Sequence, residues 1–134
     1  MNIIPNFLIY VRFSETNASG YVSTISYFLY LEEARTRFFE ILHLDKYKEN
    51  LKMNVLVAST ECRFLKQVYA KQRLTLTTKV MKIGTKSFTL QHEIKCQNGD
   101  VLAVGSAVIV CYCFQSQKSI KIPHELRQAL EEYL

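Results

Sequence analysis

Only one long segment of this chain repeats with the period of a helix. Tyr27, Leu31, Ala34, Phe38 and Leu42 recur at spacings of three and four, while Glu32, Glu33, Arg37 and Glu40 fall on other faces. The pattern predicts a helix of about five turns, roughly 30 Å long. It starts near Ser23 and Thr24, good N-caps with Ser26 close behind, and Gly20 lets the backbone turn sharply just before it. Most of the remainder alternates with period two. Phe7, Ile9, Val11 and Phe13 share one side of a first strand, opposite Leu8, Tyr10 and Arg12. Further strand-like runs follow at about 54–65, 73–83, 87–96 and 101–114. Gly84-Thr85-Lys86 and Gln97-Asn98-Gly99-Asp100 separate the last three, and Asn-Gly between two such runs is a strong hairpin signal. Residues 45–52 read as a polar connection. Pro123 opens a short closing helix with Leu126, Leu130 and Tyr133 as its buried stripe, and Glu131 and Glu132 outward.

Consecutive strands joined by short turns make an antiparallel meander, and its apolar face needs a cover. The early helix is the only candidate of suitable length. The expected fold is therefore α+β: a five-stranded antiparallel sheet wrapped around one long central helix, with a short C-terminal helix. At 134 residues and 49% hydrophobic content the chain supports one core, so residues 1–134 are read as a single domain. A sheet covered on one side leaves edges and an open face that invite a second copy, and a homodimer is expected.

No apolar run approaches the roughly 20 residues that span a bilayer. The N-terminal "MNIIPNFLIYVRF" also lacks a basic start and a small-residue cleavage site, so a cytoplasmic protein without membrane attachment is expected. Cys62, Cys96, Cys111 and Cys113 then read as reduced thiols, and the sequon Asn17-Ala18-Ser19 has no meaning in that compartment. Seventeen Lys and Arg against twelve Asp and Glu give net +5. That balance suits a nucleic acid, an anionic membrane surface or a phosphate-bearing small ligand such as coenzyme A, and equally a merely solvated basic surface.

His43, His92 and His124 lie far apart, and none belongs to a zinc-type pair, so no metal is expected. Cys111 and Cys113 fall on one face of a strand, which suits core filling. No serine or cysteine sits in a nucleophile elbow. The basic residues of the strand-rich half lack the aromatic signature of an RNA-binding sheet, so no nucleic-acid partner is expected. What remains is the turn "SETNASGYV" and the helix behind it. A helix N-terminus offers unpaired N–H groups and partial positive charge, which can stabilise an oxyanion, here from the amides near Ser23 to Ser26. The carboxylates at hand are Glu15, Glu32 and Glu33. The competing reading is that Glu32 and Glu33 are solvated helix positions and that the Ser and Thr residues merely cap.

The run "VRFSETNASGYVSTISYFLYLEEARTRFF", then "ECRFLKQVYAKQRLTLTTKV", "GTKSFTLQHEI", "AVGSAVIVCY" and the closing "KIPHELRQALEEYL", resembles the hot-dog-fold acyl-CoA thioesterases of the 4-hydroxybenzoyl-CoA thioesterase type. The resemblance implies a hot-dog fold in homodimers that often pair into homotetramers. It implies hydrolysis of a small or medium acyl-CoA thioester to free acid and CoA, with the carbonyl at the N-terminus of the central helix. No cofactor is implied, because coenzyme A is part of the substrate. The implied catalytic set is Asn17, Glu32 and Thr24. Gly20, Tyr21, Val22 and Tyr27 stand on the substrate side, with Phe28 and Phe64 as further acyl-pocket candidates. Lys66, Lys86 and Ser87 stand on the CoA side.

The chain departs from its resemblance at the centre of the turn. The position of Asn17 is usually an aspartate, and Gly20-Tyr21-Val22 replaces a frequent Gly-His-Val. A neutral amide cannot take a proton, and loss of a general base typically costs about 10²–10⁴ in rate. Two explanations are open. Asn17 positions the carbonyl or water while Glu32, fifteen residues later (32 − 17 = 15) and contributed by a neighbouring subunit, supplies the carboxylate. Alternatively, the chain has lost or nearly lost hydrolysis and binds acyl-CoA or another acyl thioester as a sensor or carrier. A hot-dog dehydratase would need a histidine near the start of the helix, and none is there.

Overall fold

The computed structural model describes residues 2–134. α1 (Thr24–Ile41) is the expected long helix, 18 residues, with Ser23 as its N-cap. It is preceded by β1 (Phe7–Tyr10) and followed by α2 (Lys46–Leu51), β2 (Met53–Phe64), β3 (Arg73–Ile83), β4 (Ser87–Lys95), β5 (Val101–Cys113), β6 (Lys118–Ser119) and α3 (His124–Glu131). The sheet runs β1-β3-β4-β5-β2, antiparallel throughout. The two-residue β6 pairs with Tyr112 and Cys113 at the end of β5, past the last β4 pairing at Val110, and so adds a short sixth strand. Among the described residues no helix is long and apolar enough to cross a membrane.

Alternation along β4 and β5 sets the inner face. Phe88, Leu90, His92 and Ile94 point inward from β4 and are all buried, and Ala103, Gly105, Ala107, Ile109 and Cys111 are buried on β5. The row of small residues on β5 forms a trough for α1. A Cβ added at Gly105 would lie 2.5 Å from Leu31 Cδ1, so glycine is what permits the helix to sit this deep. The core divides on either side of this contact. Tyr27, Tyr30, Leu31 and Ala34 pack with Val68, Leu74, Leu76 and Ile94, and Phe38 and Leu42 pack with Phe88, Ile109, Leu126 and Leu130. Tyr133 caps the second cluster edge-on to Phe38 at 5.4 Å.

Three local features differ from the pattern reading. The first strand ends at Tyr10 rather than 13, and Phe13–Glu15 form a 3-10 turn with Phe13 exposed. Glu15 Oε1 accepts the Arg12 N–H at 3.0 Å and Thr16 Oγ1 donates to the Phe13 carbonyl at 2.7 Å, so side chains take over the bonds a strand would need. The polar 45–52 connection contains α2, six residues anchored by buried Tyr47 and ended by Lys52 in the left-handed region. Pro123 precedes α3 as its N-cap, with Leu126 and Leu130 fully buried. The four cysteines are free thiols, and only Cys111 is fully buried.

β2 is an edge strand of twelve residues, and only Met53 along it is buried. Long, uncovered edges are normally avoided in soluble proteins. Leu56, Val57, Phe64 and Leu65 are each more than 40% exposed on it or just beyond it.

Gly105→Ala must push α1 off the trough or distort Leu31, at an expected cost of about 1–3 kcal/mol. Urea unfolding should show a lower midpoint with an unchanged slope.

Candidate active site

The turn before α1 is held by Asn17. Its Oδ1 accepts the N–H groups of Ser19 at 3.0 Å and Tyr21 at 3.2 Å, while its own N–H donates to the Tyr21 carbonyl at 2.7 Å. The Gly20 N–H closes the loop onto the Asn17 carbonyl at 3.0 Å, with Gly20 at φ +84° in the region glycine favours. Asn17 is therefore a turn-former whose carbonyl oxygen is spent, and only its Nδ2 donor is left to face a ligand. The turn is docked by the Val22 N–H, which donates to the Val68 carbonyl at 2.7 Å, and by a bridge between Tyr21 and Tyr69, whose rings stack tilted at 5.2 Å.

The helix start has two free donors. The Ser23 N–H is taken by the Glu15 carbonyl at 3.0 Å, and the Ser26 N–H by Ser23 Oγ at 3.2 Å. Among the described residues the backbone N–H groups of Thr24 and Ile25 have no acceptor, which narrows the oxyanion donors to these two. Thr24 lies in the wall of a cavity of about 350 Å³ lined by Asn17, Tyr21, Val22, Thr24 and Tyr27 from the turn and helix, and by Phe64, Leu65, Lys66 and Gln67 from the end of β2 and the loop after it. Tyr27 is 4% exposed and sits edge-on to Phe64 at 4.8 Å. Burial raises its phenol pKa, so it stays a neutral hydroxyl. Lys66 at the mouth pairs with Asp100 at 3.0 Å, both partly exposed, and the ammonium lowers the Asp100 carboxyl.

The expected residues divide cleanly. Asn17, Tyr21, Val22, Thr24, Tyr27, Phe64 and Lys66 meet at one cavity, and Gly20 shapes the turn behind it. Leu65 and Gln67 join them, which only the docking of the β2–β3 loop beneath the turn reveals. Phe28 instead packs against the core. Lys86 and Ser87 lie at the opposite end of β4 from the Asp100 turn, about 30 Å away by strand length, and within one subunit they do not meet the cavity.

The three carboxylates have separate fates. Glu15 Oε1 accepts the Tyr30 hydroxyl at 2.8 Å as well as the Arg12 N–H, and ties the 3-10 turn to α1. Burial first, and then this bond, push the Tyr30 phenol well above its usual range. Glu33 pairs with Arg37 at 2.9 Å and borders the β1 side of the helix with Leu8 and Tyr10. Glu32 is exposed and has no hydrogen bond or ion pair among the described residues. It shares a helix flank with Thr36 and Phe39 (spacings of four and seven), and those two line a groove with His43, Asn54 and Val55. The flank faces the uncovered edge of the sheet.

Beneath that flank lies a buried polar pair. Arg35 is 7% exposed and His92 1% exposed, and Arg35 Nη1 and His92 Nε2 have no hydrogen-bond partner among the described residues. His92 Nδ1 lies 3.0 Å from Thr78 Oγ1. Burial lowers the Arg35 guanidinium pKa, and the Glu32 carboxylate works against this. Burial first, and then the Arg35 charge, lower His92 to about 4. Among the described residues no three His, Cys, Asp or Glu side chains cluster to hold a metal.

A curled antiparallel sheet around one long helix, with its cavity at the helix N-terminus, defines the hot-dog class. Residues 11–130 match the thioesterase-like superfamily, and the chain belongs to that family. It is 31% identical over 120 residues to the "Uncharacterized protein YsmA" of Bacillus subtilis (strain 168), covering 90% of this chain and 80% of that protein. It is 25% identical over 118 residues to the 1,4-dihydroxy-2-naphthoyl-CoA hydrolase of Thermosynechococcus vestitus, covering 87% and 81%. Among solved structures, the hypothetical protein SAV2348 of Staphylococcus aureus in complex with CoA superposes with a TM-score of 0.89 at 14% identity, over 96% of this chain and 82% of that one.

His92 yields a pH prediction. Above its ordinary value of 6.5 the imidazole is neutral in both folded and unfolded chains and adds no pH dependence. Between about 6.5 and about 4 the unfolded chain binds the proton first, so the fold loses up to about 3 kcal/mol as pH falls. Thermal unfolding at pH 7 and pH 4.5 should show a smaller drop in Tm for His92→Gln than for the unaltered protein.

Proposed function

We propose that the protein hydrolyses a small or medium acyl-CoA thioester to the free acid and CoA, at a site completed by a second copy of the chain. The observation that carries this reading is the unpaired Thr24 amide in the wall of the Asn17–Tyr27 cavity, with the unpaired Ile25 amide next to it in the first turn of α1. Donors placed there hold the oxygen that becomes negative when a thioester carbonyl is attacked. Asn17 Nδ2 adds a donor that orients the acyl group or the attacking water. The fit of the family to this chemistry is supported by a relative named as a CoA thioester hydrolase.

Asn17 cannot serve as the base, and Glu15 and Glu33 are committed elsewhere, so the carboxylate of this reading is Glu32. Within one subunit Glu32 faces outward beside β2. Pairing two β2 edges antiparallel about a twofold axis covers Leu56, Val57 and Phe64 and sets the two α1 helices side by side in opposite directions. The Glu32 flank of each then faces the N-terminal half of the other. In the reaction, water attacks the carbonyl carbon as the Glu32 carboxylate of the second copy takes its proton. The tetrahedral oxyanion, held by the two amides, collapses with release of CoA thiolate, which takes up a proton. Lys66 at the cavity mouth serves the CoA phosphates. The same twofold carries the Lys86–Ser87 turn of each copy toward the other's cavity, which gives those residues a route to the CoA.

Hydrolysis of a panel of acyl-CoAs, read as free thiol, tests this directly. Turnover is expected for at least one member, and Glu32→Gln should lower it about 10²–10⁴-fold with the dimer intact. Little change in Glu32→Gln, together with a sharp gain in Asn17→Asp, would contradict the mechanism and favour an acyl-thioester binding protein.

A further inference from the structure

Tyr27 carries a polar group that the protein itself does not use. The residue is 4% exposed, with its ring edge-on to Phe64 at 4.8 Å and packed among Val22, Leu31 and Val68. A phenol so deeply placed ordinarily finds a partner, as Tyr30 does in Glu15. Among the described residues the Tyr27 hydroxyl has none. Arg35 Nη1 and His92 Nε2 are the described buried side-chain atoms that are both unpartnered and shut off from solvent. The Tyr27 oxygen is unpartnered but not shut off, and the space its residue lines is the cavity at the start of α1. Helix side chains at i and i+3 are neighbours and lean toward the N-terminus, so the Tyr27 ring lies beside Thr24 on the same cavity wall.

A fixed acceptor is what the rest of this wall lacks. Asn17 Oδ1 is spent on the Ser19 and Tyr21 amides, which leaves the Nδ2 donor. The Thr24 amide and the Lys66 ammonium only donate, and among the described residues no Asp or Glu lines the cavity. Donors suit the thioester oxygen. An attacking water has the opposite need, because its oxygen must face the carbonyl carbon while acceptors receive its protons. The Tyr27 hydroxyl can receive one, since burial holds the phenol above its ordinary value of 10 and a neutral hydroxyl accepts as well as donates. The other cavity acceptors are less confined. Thr24 and Gln67 are exposed, and Tyr21 is half-buried against Tyr69.

We propose that Tyr27 is a further catalytic residue, whose hydroxyl accepts a hydrogen bond from the attacking water and turns the water's lone pair toward the thioester carbon. This role rests on the hydrolytic reading above. In the step, the water oxygen bonds to the carbonyl carbon, one water proton stays hydrogen-bonded to Tyr27, and the other passes to the Glu32 carboxylate of the second copy. Tyr27 keeps its own proton throughout. The C–S bond then breaks, and the departing thiolate takes the proton from Glu32.

The test compares the unaltered dimer with Tyr27→Phe, which keeps the ring and removes the oxygen, and with Thr24→Val. Because that oxygen bonds nothing in the protein, Tyr27→Phe should unfold at no lower temperature than the unaltered protein. Its kcat should nevertheless fall about 10- to 100-fold with KM nearly unchanged. Added hydroxylamine is a stronger nucleophile that needs no held water. The ratio of hydroxamate to free acid, corrected for the enzyme-free reaction, should therefore rise about 10-fold or more in Tyr27→Phe. An unchanged kcat, or an unchanged product ratio, overturns the role of Tyr27 and leaves hydrolysis at this site in place. A ratio that moves as far in Thr24→Val as in Tyr27→Phe assigns the water to Thr24 and also overturns it. No hydrolysis by the unaltered protein across the acyl-CoA panel overturns the hydrolytic reading as well, and is told apart because it appears before any substitution.

Discussion

The depth at which α1 lies in the sheet governs the rest of the molecule. Leu31 enters a trough that exists because β5 carries Ala103, Gly105 and Ala107 where larger residues would hold the helix away. That contact sets where the helix begins relative to the 3-10 turn and the β2–β3 loop. The Val22–Val68 and Ser23–Glu15 bonds then need only short reaches, 2.7 and 3.0 Å. A helix seated higher would separate the Thr24 and Ile25 amides from Phe64 and Lys66, and the cavity would open to solvent.

Seating α1 also sorts its charges. Four residues of helix surface separate committed from uncommitted groups: Glu33 turns toward β1 and finds Arg37, Arg35 turns inward toward His92, and Glu32 turns toward the bare edge of β2. The turn residue Asn17 completes the division. With its oxygen accepting two backbone N–H groups, it stabilises the loop in the manner of a turn-forming Asx residue and cannot deliver a base. Among the described residues no Asp or Glu lines the cavity beside it, and in the proposed mechanism that base comes from a second copy paired along the exposed length of β2.

Much of this was legible in the residues. The 3.6-residue repeat from Tyr27 to Leu42 located α1, and alternation with the Asn98-Gly99 turn located the meander. Gly20 followed by Ser23 marked the turn and the cap. What escaped did so for physical reasons. α2 has one buried residue, Tyr47, in six, too few to display a period. β1 stops early because Glu15 and Thr16 satisfy backbone groups through side chains, which alternation does not register. The separate fates of Glu15, Glu32 and Glu33 depend on which neighbours each meets. The burial of His92 was readable from its inward phase with Phe88, Leu90 and Ile94, but the arrival of Arg35 beside it was not. Lys86 and Ser87 stand with Lys66 only through the family resemblance, whereas the topology puts a strand's length between them.

A site built from two chains, as proposed, is tested most directly by subunit mixing. Glu32→Gln and Asn17→Ala subunits are each expected to form dimers with little hydrolysis. In a mixed dimer, one site combines the intact Asn17 turn of the first subunit with the intact Glu32 of the second. Random exchange should therefore restore about a quarter of unaltered activity, since half of the dimers are mixed and each carries one good site. A mixture no more active than its parents, with mixed dimers verified, would contradict a shared site.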